Sequence, residues 1–320
     1  MRIEFCYFPY IYCGFPKILG KMNPAPVIRI QNLTKFYGKI TGVRNISFDV
    51  FQGEVFGFLG PNGAGKTTTI RLLLDLLRPS SGAIEIFGKN LAHNSLEIRR
   101  KCGYLPGNFS AYANLSGIEF LNLCADLRNI PRKVDPVLLD RFGLSETNLG
   151  QKIKNLSHGT QQKLGIIQAF FHAPELLILD EPTTGLDPLM QETFYDLLLE
   201  QMNKGCTIFL SSHNLSEVER ICHRLAIIRK GEIQKVDSIE NLRKLLKKKL
   251  RFTLSRAGGD FILPGTELIY NQGFTYEYLV HGDIRLILEK LAQLPVVDVL
   301  LPEPRLEEIF MNFYKDKADD

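Results

Sequence analysis

The stretch "GFLGPNGAGKTTTIRLLLDLL", Gly57 to Leu77, decides the fold. An apolar, strand-like lead-in ("EVFGFLG") runs into a glycine-rich loop, and a leucine-rich, helix-like segment leads out. Gly60, Gly63, Gly65, Lys66 and Thr67 satisfy the pattern G-x-x-x-x-G-K-[ST]. Glycine lets the backbone turn at positive φ and approach a ligand closely. Successive N–H groups then form an anion nest, and the following helix adds the positive end of its dipole. Gly60, Pro61, Asn62, Gly63, Ala64, Gly65, Lys66, Thr67 and Thr68 are therefore the expected phosphate cradle. Within it Lys66 reaches for the β- and γ-phosphates, the Thr67 hydroxyl is a Mg²⁺ ligand, and Thr68 adds a phosphate contact.

A second stretch agrees with the first. "LLILDEPTTGLD", Leu176 to Asp187, is an apolar strand ending in two adjacent carboxylates. Neighbours on a strand point opposite ways, but where the chain bends at the strand end both reach one site. Asp180 is the expected Mg²⁺ ligand, and Glu181 the group that polarises an attacking water. "LSHGTQQK", Leu156 to Lys163, places Ser157 and nearby amides at the start of a helical stretch, a second anion-binding helix start. "FLSSH" ends a strand at His213. Tyr37 in "LTKFYGK" is read either as core or as a ring that stacks on a purine.

Around these stretches, strands alternate with helices, which predicts an α/β fold with a mainly parallel sheet. Residues 27–33 and 43–50 alternate as strands, 83–88 is a short strand, and 94–102 looks helical. "GIEFLNLCADLRNI" carries a partial helical stripe at Ile118, Leu121, Leu123 and Ala125, and residues 110–155 form a helical lobe. "RLAIIRKGEIQKV" is a hairpin turning at Lys230-Gly231. A second, α+β unit covers 238–320. In it "SIENLRKLLKKKL" is a basic helix or linker, Asp283 caps a helix with apolar residues at 284, 287, 288 and 291, and "PRLEEIFMNFY" aligns Leu306, Ile309, Phe310 and Phe313. These stripes are read as core, and the basic run at 244–251 as a solvated face, with anionic lipid headgroups as the competing reading.

Composition sets outer bounds. The 320 residues are 45% hydrophobic and 23% charged, as in a soluble globular protein, and a net charge of +4 is too mild to argue for nucleic acid. Six cysteines are scattered without a CxxC pair, so neither a zinc site nor a disulfide framework is indicated, and a reducing cytosol fits. No run approaches the ~18 apolar residues of a membrane span. Residues 1–26 form an N-terminal extension, rich in aromatics and broken by Pro9 and Pro16. Three readings stand for residues 1–21: a disordered or loosely docked tail, a mis-assigned start with Met22 as the true one, or a membrane-surface anchor.

Taken together, Tyr37, the loop at 60–67, "LSHGT" at 156–160, "LLILDE" at 176–181, "GLD" at 185–187 and His213 resemble an ATP-binding cassette (ABC) ATPase over roughly residues 27–237. The resemblance implies a P-loop NTPase cassette with an antiparallel β part beside the parallel core. It implies a homodimer or heterodimer of cassettes with two ATPs, each with Mg²⁺, sandwiched between protomers. Each phosphate loop is then closed over by the other protomer's Ser157 and Gly159. Asp187 would lie in the loop that couples the two sites, His213 would hold the γ-phosphate and attacking water, Glu181 would catalyse, and Tyr37 would stack on adenine.

Two departures from that pattern matter. The usual LSGGQ signature reads LSHGT, with His158 and Thr160 replacing a glycine and a glutamine. The glutamine that usually contacts Mg²⁺ and senses the transporter is replaced by Gly107 in "CGYLPGNFS". Either Asn108 substitutes for it, or backbone and neighbouring side chains do; the second is the reading taken here, and an Asn108→Ala variant with intact turnover and coupling would exclude the first. "GYLPG", "LSHGTQQKLGIIQA", "GLDPLMQ" and the ending "PRLEEIFMNFY" are similar to cassettes of bacterial exporters of drugs, antibiotics or toxins, whose permease is a separate chain. The expected place is then the cytoplasmic face of the membrane, held there by the permease. The competing expectation is a soluble cassette ATPase in translation, nucleic-acid or assembly work. Such chains show tandem cassettes, coiled-coil insertions or strongly basic surfaces, and none is present here.

Overall fold

The computed structural model describes residues 25–109, 112–244, 246–256, 262–302 and 306–307. Chain order opens with β1 (Pro26–Tyr37) and β2 (Ile40–Phe51), paired antiparallel. β1 runs longer than its 27–33 core of alternation, because register shifts let "TKFY" stay paired with β2. Next come β3 (Val55–Leu59), α1 (Lys66–Leu73), β4 (Ser81–Ile86), β5 (Lys89–Asn90), α2 (Leu91–Arg100) and β6 (Cys102–Leu105). The helix expected over 94–102 thus starts three residues earlier, where Asn90 accepts from Ala92 N as its cap, and Cys102 already belongs to β6.

The segment after β6 is helical as expected: α3 (Gly117–Arg128), α4 (Pro136–Arg141) and α5 (Glu146–Gly150). A Ser116/Glu119 capping box starts α3. Of the expected stripe, Leu121 and Ala125 are buried, together with Gly117 and Phe120, while Leu123 is half-buried and Ile118 is exposed. The spacing of the four buried positions is the one that a single helix face requires.

The remaining elements are α6 (His158–Phe170), β7 (Leu176–Asp180), α7 (Pro188–Asn203), β8 (Thr207–Ser212), α8 (Leu215–Ile221), β9 (Arg224–Arg229), β10 (Glu232–Ser238), α9 (Ile239–Lys244), β11 (Lys248–Leu254), β12 (Thr266–Gln272), β13 (Thr275–Val280), α10 (Ile284–Leu291) and β14 (Val296–Leu300). The β9–β10 turn falls at Lys230-Gly231, both at positive φ.

Three sheets result. One is antiparallel, in the order β2-β1-β4-β5. The second has the order β10-β9-β3-β8-β7-β6, with parallel pairing from β9 to β6. Every residue of β3, β7 and β8 is buried, as in a sheet covered on both faces. Phe48 of the first sheet stacks on Phe56 and Phe209 of the second at centroid distances of 5.4 and 6.2 Å, which locks the two sheets face to face. The order matters for the site. β8 lies between β3 and β7, so the carboxyl ends of these three strands open side by side, where ligands bind in parallel α/β sheets.

The third sheet, β12-β13-β11-β14, has its own core of Leu250, Phe252, Leu254, Tyr276, Tyr278, Val280, Ile287 and Leu291. α10 is capped by Asp283 as expected and buries Ile287 and Leu291. Leu288, expected in the core, is exposed, because one face of so short a helix suffices to cover the sheet. The basic run divides between α9 and β11, and Arg251 and Lys244 pair with Glu277 and Glu240. Residues 1–24 and most of the expected helix over 304–314 lie outside the described residues; Leu306 is buried against the cluster around β7 and β8.

Candidate functional site

The loop after β3 is shaped by contact as much as by sequence. A Cβ at Gly60 would lie 2.5 Å from Ile228 O, and one at Gly65 would lie 2.7 Å from Gly42 O. Gly65 also sits at φ 110°, a conformation that side chains resist. The first turn of α1 therefore begins at a residue with no side chain to cap it. Its N–H groups have no intrahelical acceptor and are directed at whatever anion enters the loop. Lys66 is 6% exposed, and its Nζ donates to Gly60 O (2.7 Å) and Pro61 O (3.2 Å), so the ammonium is held inside the loop it serves.

The two carboxylates come together as the strand-end reading expects. Asp180 ends β7 in extended form, and Glu181 turns sharply at φ 48°. That left-handed conformation is uncommon for a non-glycine residue, and backbone strain of this kind collects at functional sites. It swings Glu181 onto the same side as Asp180. Thr67 Oγ1 donates to Asp180 Oδ2 at 2.9 Å, and Ser211 Oγ donates to Oδ1 at 2.5 Å. Glu181 Oε1 faces Lys66 Nζ at 3.1 Å as an ion pair, without a hydrogen bond of its own. Glu181 Oε2 lies 2.7 Å from His213 Nδ1, which orients the imidazole and turns its other nitrogen away from the carboxylate. Lys66, Thr67, Asp180, Glu181 and His213 thus form one constellation.

Tyr37 belongs to the same edge. A Cβ at Gly42 would meet Tyr37 Cε2 at 2.8 Å and Thr68 Cγ2 at 3.0 Å, so the ring lies across Gly42 beside the start of α1. It is 41% exposed, and Lys35 Nζ sits 5.6 Å from its centre. The ring is thus half-open to solvent beside the phosphate loop and not part of the core.

Ser157, Gly159 and Asp187 gather at two helix starts. Ser157 caps α6 by accepting from Thr160 N, and Asp187 caps α7 by accepting from Met190 N, with Pro188 in the first turn. The two caps are neighbours. A Cβ at Gly185 would touch the His158 ring at 3.0 Å, and one at Gly159 would lie 3.1 Å from Gly185 O. Gln162, fully buried, donates to Pro182 O at 2.9 Å and ties α6 to the loop after β7. The His158 departure thus fills space over the "TGLD" loop. At the other departure, a Cβ on Gly107 would approach Asp180 O at 3.1 Å, while Asn108 is exposed.

Sequence reasoning missed Ser211, Gln162 and Glu217. A serine at a strand end and a glutamine within a helix carry no signal in a single sequence; only the placement of β8 next to β7 gives Ser211 its partner. Tyr104 on β6 was missed as well, and burial together with the charge of Asp180 pushes its phenol up to about 12.

Among the described residues no group of three or more His, Cys, Asp or Glu side chains gathers as a metal cage. The oxygen set at Thr67 and Asp180 instead suits a hard cation that keeps waters and shares phosphate oxygens, as Mg²⁺ does.

Comparison with known proteins agrees with this geometry. A family profile described as ABC transporter matches residues 43–184. The bacitracin transport ATP-binding protein BcrA of Bacillus licheniformis is 38% identical over 304 residues, which cover 92% of this chain and 96% of that protein. The linearmycin resistance ATP-binding protein LnrL of Bacillus subtilis (strain 168) is 30% identical over 89% of this chain and 97% of its own. A solved ATP binding subunit of an ABC transporter superposes with a TM-score of 0.64 at 33% identity, over 68% of this chain and 92% of that one. Identity at this level along nearly the whole chain exceeds what shared architecture alone produces, and the chain belongs to the ABC transporter family as an ATP-binding, ATP-hydrolysing subunit.

Proposed function

We propose that this chain is the motor of an exporter, in which two cassettes close over two ATPs and drive a separate membrane permease. The observation that carries the reading is the Lys66–Glu181–His213 cluster beside the Thr67–Asp180 pair. Lys66 and the first-turn N–H groups of α1 bind the β- and γ-phosphates, and Tyr37 stacks on adenine. Thr67 and Asp180 hold Mg²⁺, which when bound offsets charge on the transferred phosphoryl group. Glu181 orients the attacking water and takes its proton. His213, its Nδ1 engaged by Glu181, presents Nε2 to the γ-phosphate. Ser157 and Gly159 serve the partner cassette's nucleotide; their place at the start of α6, against the loop at Gly185, supports that division. Asp187, joined to the same helix start through Gly185, couples the two sites.

The chain divides, in this reading, into a cassette at 27–237 with its helical lobe at 110–155, and an accessory unit at 238–320. The separate core of the third sheet supports the second boundary. No helix among the described residues is long and apolar enough to cross a membrane. In this reading the permease is another polypeptide and holds this chain at the cytoplasmic face. The cargo class follows from the relatives, one a bacitracin transport protein and one a linearmycin resistance protein: antibiotics or related compounds are exported.

Glu181→Gln tests the assignment. Turnover falls by about 10²-fold or more, the scale of general-base help, and an ATP-dependent dimer accumulates on a sizing column. Normal hydrolysis by that variant overturns the catalytic reading.

A further inference from the structure

Glu217 lies on α8, one turn beyond His213, and is 3% exposed. A buried carboxyl beside the Glu181–His213 pair requires an explanation. Its Oε2 is 2.5 Å from Ser212 Oγ. Thr183 stands next to it, yet Oε1 has no hydrogen bond of normal geometry. The titratable groups that face it are Glu181 after β7, His213 after β8, Tyr195 of α7 and Cys222 at the end of α8. None of them is a fixed cation that would neutralise a charge at 217. Burial, and then the Glu181 charge, push its carboxyl up from its ordinary value, although the Ser212 and Thr183 hydroxyls and His213 pull the other way.

The hydrogens decide which form fits. Ser212 Oγ accepts from Asn214 N at 2.9 Å and lies 3.3 Å from Asn214 O. If Glu217 carries a proton on Oε2, it donates to Ser212 Oγ, and the serine hydrogen is free for Asn214 O. If Glu217 is ionised, it takes the serine hydrogen, Asn214 O keeps only the Val218 N–H at 3.4 Å, and a negative Oε1 is left buried with no hydrogen bond of normal geometry. An uncompensated charge of that kind is strongly disfavoured. Ser212 and Asn214 flank His213 in sequence, and Asn214 also caps α8.

We propose that Glu217 is a positioning residue of the hydrolytic site, a neutral carboxylic acid that clamps Ser212 and Asn214 on either side of His213 so that the imidazole meets Glu181 as the single anion. The proposal rests on the reading of Glu181 and His213 as the hydrolytic pair. It accounts for a buried acid that contacts neither the phosphate loop nor Asp180. Ionisation of Glu217 as pH rises puts a second negative charge behind Glu181 and removes the clamp, so turnover falls on the alkaline side.

The full-length chain is assayed for ATP hydrolysis across pH, as wild type, Glu217→Gln and Glu217→Ala. Glu217→Gln keeps a neutral donor and retains kcat within about threefold, whereas Glu217→Ala lowers kcat about tenfold or more at little-changed KM for ATP, the pattern of a group acting through the transition state. The alkaline limb of the wild-type profile is absent from Glu217→Gln. The infrared difference spectrum, wild type minus Glu217→Gln, shows a protonated carboxyl C=O band at neutral pH. The proposal is overturned if Glu217→Gln is damaged as badly as Glu217→Ala with ATP binding intact, or if only carboxylate bands are seen. Should Glu217→Ala not fold, the glutamine variant and the spectrum still decide. An active Glu181→Gln variant would sink the underlying assignment instead, and the infrared band would still report the state of Glu217.

Discussion

At the residue scale, Asp180 and His172 show how a neighbour sets the chemistry of a side chain. Asp180 is nearly buried and accepts from Ser211 and Thr67, so its two oxygens have fixed directions. Partners of this outer kind commonly hold a metal ligand in place, and losing one costs about 10–100-fold in metal affinity or activity. Ser211→Ala is expected to raise the Mg²⁺ concentration needed for half-maximal turnover by that order, with nucleotide binding in the absence of metal unchanged; a Mg²⁺ titration of ATPase rate checks it. His172 is a pH sensor for the fold. Its Nε2 reaches Cys102 O at 3.2 Å, while Nδ1 is buried without a partner. Burial, and then the charge of Arg128, pull its imidazole down to about 4. The unfolded chain therefore binds this proton between about pH 6.5 and 4 while the folded chain does not, and stability falls as pH drops through that window. With its partial exposure, the loss amounts to about 1–3 kcal/mol. Urea unfolding at pH 7 and pH 4.5 measures it, and His172→Gln, which cannot charge, shows a smaller difference between the two.

At the element scale, the site depends on the order of strands. β3 supplies the phosphate loop, β7 the carboxylates and β8 both Ser211 and His213; the strand order makes their ends neighbours. Phe209 sits mid-way along β8, wholly buried, with Phe48, Phe56 and Phe58 at 5.4–6.2 Å. Phe209→Ala removes the ring that joins the two sheets and leaves a void beneath the site. The expected destabilisation is about 3–5 kcal/mol, measured by chemical denaturation, with activity lost in proportion to the unfolded fraction rather than through KM. The α3 stripe shows the limit of pattern reading at this scale. Ile118 has the apolar character of a core residue, but it falls off the face made by Gly117, Phe120, Leu121 and Ala125 and points outward. Leu288 is apolar in the same way and stays exposed because the third sheet is already covered by Ile287 and Leu291.

For the whole molecule, the proposed role of Ser157 and Gly159 has a consequence for assembly. In the proposed two-fold dimer, each site joins one protomer's phosphate loop to the other's helix start. A chain with Lys66→Ala and a chain with Ser157→Ala are each inactive alone, but a mixed dimer contains one intact site. Equal mixing is expected to restore about a quarter of wild-type turnover, since half of the dimers are mixed and each has one working site of two. No recovery after exchange of subunits would mean that both groups act within one chain. Much of this protein was legible in its sequence. A glycine-rich loop before a lysine, and two acids after an apolar strand, are local patterns whose chemistry follows from residue type and spacing, so the phosphate loop, Asp180 and Glu181 could be named before any coordinates. The same holds for the alternation of strands and helices, which encodes the parallel sheet. Ser211, Gln162 and Glu217 could not, because a serine, a glutamine or a glutamate has no distinctive local pattern. Ser211 and Gln162 take their roles from segments far apart in the chain, and Glu217 takes its own from burial beside Glu181: Ser211 lies 31 residues from Asp180 along the chain yet within 2.5 Å of it. Local sequence sets which chemistry is present; pairing between distant strands, driven by burial of β3, β7 and β8, sets which groups meet and which of them are removed from water.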